Sequence, residues 1–198
     1  MTAAAILTAA AATPGVAGAQ AADVAALQAR EARNADTRTL AALEGFRQAL
    51  VARYPGDPKL TMLEFGESEA TALVLGSPAS PPEFVIWRGD RWVGTESRKL
   101  EPWARPDVAA ANAFPLSSVR ASPFRAWQDG WRRTPGQATD FFMKYAMGYD
   151  PGAGRVVVRA TVGSMTTGRI AEQRFDPASG APVAVAAAAP PPAPKAAP

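Results

Sequence analysis

The 198-residue sequence contains no cysteine and no histidine. Without cysteine there is no disulfide framework, no thiolate nucleophile and no lipid anchor attached through a thiol. Without histidine the commonest general base and the commonest metal ligand are missing, and every Ser-His triad with them. Charge of one sign is also scarce. Lys and Arg number 21 against 18 Asp and Glu, and the net +3 is too small to imply an obligate polyanion partner. The charges are unevenly placed: residues 23–107 carry 11 basic and 13 acidic side chains, whereas 108–180 carry 9 and 5. Hydrophobic content is 47%, but much of it is alanine near the two ends, so the part able to build a core is nearer residues 24–183.

Motifs that would declare a chemistry are missing too. There is no Gly-x-Ser-x-Gly elbow, Walker loop, Ser-x-x-Lys or dinucleotide fingerprint, and Gly152-Ala-Gly154 lacks the third glycine and the following helix. A metal would have to be held by carboxylates alone, and no calcium-loop spacing occurs. The densest acidic cluster is Glu64, Glu67 and Glu69, where two carboxylates at work as acid and base are conceivable. Glu67 and Glu69 flank Ser68 between two strand-like stretches, however, and a solvated turn is the better reading. No catalytic residue, cofactor site or metal site is therefore assigned.

Residues 1–22 carry no charged side chain. The apolar run Ala3–Ala12 is followed by Ala17-Gly18-Ala19 and Ala19-Gln20-Ala21, two overlapping small-x-small sites of the kind signal peptidase reads. A basic n-region is missing, and a membrane helix or an Ala-rich tail are the competing readings. An export signal over 1–22 is favoured, with a periplasmic or secreted destination and no membrane span in the mature chain.

Ala22–Arg33 is helix-compatible or a spacer. Asp36 or Thr37 is the expected N-cap of a helix running to about Arg53, with Leu40, Leu43, Phe46, Leu50, Val51 and Tyr54 on one face and Pro55-Gly56 as the stop. Strands are expected at Lys59–Phe65, Ala70–Leu75 and Glu83–Arg88, the last turning at Gly89-Asp90 and resuming at Arg91–Gly94; Leu63 and Phe65 are assigned inward. Residues 95–122 read as a linker anchored by Trp103 and Phe114. Ser122-Pro123 then opens a second helix bearing Phe124, Trp127 and Trp131, closed by Thr134-Pro135-Gly136. Strands at Phe141–Tyr149, Arg155–Val162 and Arg169–Phe175 complete the set, and 184–198 is an Ala/Pro tail expected to be disordered or polyproline-like.

Arg53-Tyr54-Pro55-Gly56 and Arg133-Thr134-Pro135-Gly136 each end an amphipathic helix and precede three strands. The expected fold class is therefore α+β: two tandem helix-plus-three-stranded antiparallel meander units, spanning 23–94 and 123–183. This plan resembles the PepSY-type module of exported bacterial proteins, and its tandem form is similar to the β-lactamase-inhibitor-protein fold. The resemblance covers roughly residues 37–183 and rests on the order and size of elements. It implies a periplasmic or secreted binding module, in families where hydrolase or protease inhibition is one role, and it carries over no functional residue.

Three surface readings remain. Arg88-Gly89-Asp90 matches an adhesion tripeptide but reads as a hairpin turn. Phe124, Arg125, Trp127, Trp131, Arg132 and Arg133 interleave aromatics with cations as a nucleic-acid platform does, yet their spacing favours a buried aromatic face, and no nucleic-acid partner is expected. Trp87, Trp92 and Trp103 are the candidate partner contacts, because aromatics on an uncovered sheet face form binding patches; of Trp87 and Ile86, one must point away from the helix. The expected function is an exported non-enzymatic protein engaging another macromolecule, a protein of the cell envelope, with inhibition as one such role. The alternatives are an envelope assembly accessory tethered by its tail, or a hydrolase using Asp and Glu only. Processing has a direct check: mass spectrometry of exported material is expected to give a mature start near Gln20 or Ala22, and an intact N-terminus rejects cleavage.

Overall fold

The computed structural model describes residues 14–75, 82–96 and 111–184. A long helix α1 (Pro14–Arg53) precedes β1 (Lys59–Phe65), β2 (Glu69–Leu75), β3 (Glu83–Arg88) and β4 (Arg91–Glu96). A short β5 (Phe114–Pro115) and a 3-10 turn at Leu116–Ser118 lead into α2 (Ala121–Arg132), followed by β6 (Phe141–Asp150), β7 (Arg155–Gly163) and β8 (Ile170–Phe175). The α+β class and the expected strands are present, with ends moved by a residue or two. The first run has four strands where three were counted, because the resumption after Gly89-Asp90 is a strand of its own.

All eight strands belong to one antiparallel sheet in the order β4-β3-β2-β1-β6-β7-β8, with β5 pairing the start of β1. The two runs of strands are thus not two separate sheets. Their first members, β1 and β6, meet antiparallel through Met62–Gly148, Leu63–Met147, Glu64–Ala146 and Phe65–Tyr145. Both seam strands carry a register shift, between Leu60 and Met62 and between Phe142 and Lys144. A bulge advances the alternation by one residue. Leu60 thereby joins Leu63 and Phe65 on the helix side, and Phe142 joins Tyr145 and Met147, all of them buried.

The helices cover one face of this sheet. Alpha-1 is continuous through Asp36 and Thr37, so neither caps a helix: no Pro or Gly interrupts the chain between Gly18 and Gly45, and the Ala-rich stretch has high helix propensity. At about 1.5 Å per residue the helix is about 60 Å long. Thr37 Oγ1 instead donates back to Arg33 O at 3.0 Å. The buried positions Ala32, Asp36, Thr39, Leu43, Phe46 and Leu50 alternate by four and three, a stripe that faces the sheet. Upstream of that stripe Val24 and Leu27 are exposed, and so is Val51, which was expected on the covered face. The second helix starts two residues earlier than expected, with Arg120 as a cap that makes no side-chain hydrogen bond, so Ser122 lies in the first turn.

Phe124 and Trp127 from α2 interlock with Phe65 of β1, Phe142 and Tyr145 of β6 and Phe175 of β8. Trp127 stacks on Phe175 at 4.6 Å, Phe65 on Tyr145 at 5.0 Å, and Phe124 meets Tyr145 edge-on at 5.4 Å. Because Phe65 belongs to the first run of strands, α2 does not merely cover its own meander. The stretch assigned as a linker is also partly integral: β4 reaches Glu96, and Phe114, Leu116 and Val119 are buried beside β1. At the far edge, Pro182 bridges to Phe175 and Val183 N donates to Arg174 O. Residues 1–13 of the expected signal and 185–198 of the expected tail lie outside the described residues. Phe124→Ala, which opens the aromatic cluster at its centre, is expected to lower unfolding free energy by about 3–5 kcal/mol in urea titrations.

Candidate functional site

Two of the three side chains proposed from the sequence as partner contacts, Trp87 and Trp92, meet at one corner of the sheet. Trp87 near the end of β3 and Trp92 near the start of β4 are cross-strand partners on either side of the Gly89-Asp90 turn, so their rings lie on one face. They meet edge-on at 5.1 Å, and Phe46 of α1 sits under both, at 6.4 and 5.9 Å. Both indoles are half-buried and on the helix side; Ile86 is the one that points away, packed with Met62, Leu73 and Phe84. Of the two residues left open by alternation, Trp87 is therefore the one that faces the helix. Trp87 faces α1 by alternation with the buried Val85, and the register shift after Ile86, which passes over Val93, brings Trp92 opposite it. Trp103 lies outside the described residues.

Sequence reasoning missed the residues that frame this corner. Arg53, at the end of α1, lies over Trp92 and Tyr54, 5.3 and 5.5 Å from the ring centres. Its Nη2 donates to Glu83 Oε1 at 2.7 Å, and Tyr54 Oη donates to Glu83 Oε2 at 2.5 Å. Partial burial and that hydrogen bond to Glu83 push the Tyr54 phenol up to about 12, so it stays protonated at neutral pH. The result is a Trp-Trp-Tyr-Arg surface fixed by ring contacts and one shared carboxylate. These are the residue types that dominate binding hot spots. The linear signal for it was only the position of Arg53-Tyr54 at a helix end.

The acidic turn does not assemble an acid–base pair. Glu67 is bonded to Arg38, Glu69 to Arg88 at 2.6 Å, and Glu64 to Lys144 at 2.5 Å. Each carboxylate therefore has a different cation. Arg88-Gly89-Asp90 is the β3–β4 turn, with Gly89 at φ 65°, and its arginine is the one held by Glu69. The aromatic–basic face of α2 is split in the same way. Phe124 and Trp127 are buried, Trp131 Nε1 donates to Asp140 Oδ2 at 3.0 Å, and Arg132 turns inward.

Arg132 makes the other site that the linear sequence hid. Its Nε and Nη2 donate to Asp36 Oδ2 at 2.9 and 2.6 Å, and its Nη1 donates to the carbonyls of Ala138 and Asp140 at 3.2 and 2.6 Å. One guanidinium thus ties α1, α2 and the approach to β6 together, lying also over the Phe142 ring at 5.1 Å. Asp36 and Arg132 side chains are 10% and 9% exposed. Burial pushes the Asp36 carboxyl up to about 6, against the opposing charge and hydrogen bonds of Arg132. Its Oδ1 has no hydrogen-bond partner, which is why Arg132 does not fully offset the lost hydration. Beside them Tyr145 Oη accepts from Gln128 Nε2 at 2.6 Å, and burial raises that phenol well above the usual range.

Among the described residues no group of acidic side chains has the arrangement to hold a metal ion, and no helix is long and apolar enough to cross a membrane. Compared with protein-family models, with curated proteins and with solved structures, the chain has no match.

The Asp36 environment generates a signed pH dependence. The native state holds that proton up to about pH 6, whereas an unfolded chain releases it near 3.9. Native protein therefore binds more protons between these values, and stability from this group rises as pH falls through 6. The increment approaches about 3 kcal/mol near pH 4. Urea titrations are expected to show this rise in the wild type after subtraction of the Asp36→Asn profile. Equal pH slopes for the two chains reject the assignment.

Proposed function

We propose that the protein is an exported, non-enzymatic binding module that engages another protein of the cell envelope through the Trp87–Trp92 corner. The observation that carries this reading is the composition and fixing of that corner: two half-buried indoles, one phenol and one guanidinium, held by Phe46 and Glu83. Preorganised aromatic and arginine side chains lose little conformational freedom on binding. Reversible inhibition of a hydrolase or protease is one activity such a surface serves. The separate ion pairs of Glu64, Glu67 and Glu69 favour binding over acid–base chemistry.

The fold supports a tandem reading, in which 23–94 and 123–183 are two copies of a helix-plus-meander unit of PepSY-like plan. Gly56 and Gly136 end the two helices in the same left-handed conformation, φ 93° and 82°. Equivalent strands β1 and β6 meet antiparallel at the centre, as a two-fold relation between copies requires. The small-x-small sites at 17–21 lie within α1, and export with cleavage there accords with the exposed, unpacked Gln20–Leu27 stretch.

Photo-crosslinking tests the binding surface. A photoreactive side chain at Val93 is expected to label a discrete envelope protein, and purified partner is expected to bind Trp92→Ala at least about tenfold more weakly, while Met143→Ala on the far side binds normally. Equal affinities for Trp92→Ala and wild type, with both folded by circular dichroism, remove the corner from the interface.

A further inference from the structure

Between α1 and α2 lies a cleft of about 340 Å³. Its floor is buried, with Asp36 and Leu40 from α1 and Gln128 from α2. Directed bonds hold that floor: Gln128 Nε2 donates to Tyr145 Oη at 2.6 Å, and Asp36 Oδ2 accepts from Arg132 at 2.6 Å. The rim is exposed and charged, formed by Arg33 of α1 and by Arg125 and Asp129 of α2.

The rim charges are not committed in the same way. Among the described residues the side chains of Arg33, Arg125 and Asp129 have no ion-pair or hydrogen-bond partner. Arg125 and Asp129 are four residues apart on one helix, a spacing at which opposite charges commonly meet, yet they form no pair. The floor adds an acceptor without a donor, Asp36 Oδ1. Asp129 stands close enough for its charge to oppose that of Asp36. Two free guanidiniums and two mutually repelling carboxylates therefore line one small cleft.

We infer that this cleft is a binding site for a free α-amino acid, with Arg33 and Arg125 receiving the carboxylate and Asp129 and Asp36 the ammonium. A plain anion would meet the guanidiniums but face two carboxylates of its own sign. A plain amine would meet the carboxylates but face the guanidiniums. A zwitterion whose two charges are adjacent answers both sets, and its ammonium brings the N–H donors that Asp36 Oδ1 lacks. An ammonium between Asp36 and Asp129 also relieves their repulsion. The volume lies near the lower end of the range for small-molecule sites, about 300–1,000 Å³, which suits a ligand of this size. Arg132 is not needed as a ligand, because its donors are taken by Asp36 and by the carbonyls of Ala138 and Asp140. The bound molecule would bridge the two helices. The cleft shares no residue with the Trp87–Trp92 corner, so the inference goes beyond the proposed partner binding and does not rest on it.

Nuclear magnetic resonance on the full chain, labelled with nitrogen-15, tests the site. A pool of the standard amino acids at about 1 mM each is expected to shift the Gln128 side-chain amide and the backbone amides of Arg33 and Asp129. One or a few members of the pool, added singly, are expected to reproduce the shifts. The N-acetyl and α-amide derivatives of a binding member each lack one charge and are expected to bind at least about tenfold more weakly. Arg125→Gln and Asp129→Asn, both at exposed positions, are expected to weaken binding by a similar factor, whereas Arg169→Gln between β7 and β8 leaves it unchanged. The absence of shifts with the pool overturns the inference, and so does affinity that survives both cleft substitutions in chains folded by circular dichroism. Equal binding of either derivative overturns the zwitterion as the ligand. Crosslinking from Val93 reads the other site, so the two results stand or fall separately.

Discussion

The antiparallel seam between β1 and β6 is the constraint from which the rest of the architecture follows. A three- or four-stranded meander with a single apolar face needs a cover of its own, and two of them in isolation would need two. Joining them at Met62–Phe65 and Tyr145–Gly148 produces one broad face, and a single long helix can then lie across both. The bulges in β1 and β6 complete the arrangement by bringing Leu60 and Phe142 to the same side as their neighbours. Phe65, Phe124, Tyr145 and Phe175 interlock only because the seam brings β1 beside β6.

The Asp36–Arg132 pair contributes orientation more than net stability. Burying both charges costs hydration, and the orphaned Oδ1 of Asp36 shows that the cost is not fully offset. Arg132 reaches one carboxylate of α1 and two carbonyls of the stretch before β6, however, and no apolar side chain of similar size makes these three directed contacts. The pair therefore sets how α1 lies relative to α2 over the sheet.

Much of the fold was legible because strand periodicity and turn residues act locally. Arg155–Val162 alternates cleanly and follows Asp150-Pro-Gly-Ala-Gly154, and it forms β7 to within one residue. Strict alternation put Leu60 with Met62 and Glu64 on the outward face, whereas it is buried on the helix side, because a bulge depends on the partner strand and leaves no mark in a two-residue period. Asp36 misled for a related reason: a short oxygen side chain before an apolar stretch is a cap signal, but its ligand is Arg132, 96 positions away. At the aromatic corner Trp87 and Trp92 were recognised as unusual, while their orientation depended on Phe46 and on the register between β3 and β4. The meeting of β1 with β6 left no local signature, since either meander could have paired through another edge.

The two borders of the sheet differ in what they offer a visiting strand. Along β8 the outward groups near its end are already engaged, by Val183 on the carbonyl of Arg174 and by the Ala181 carbonyl on Asp176. Along β4 only the inner side is laddered, to β3, among the described residues. Among the described residues, growth of the sheet by a foreign backbone is consequently directional: it is obstructed where the chain folds back beyond β8, and an extended segment added along β4 would lie against the paired indoles.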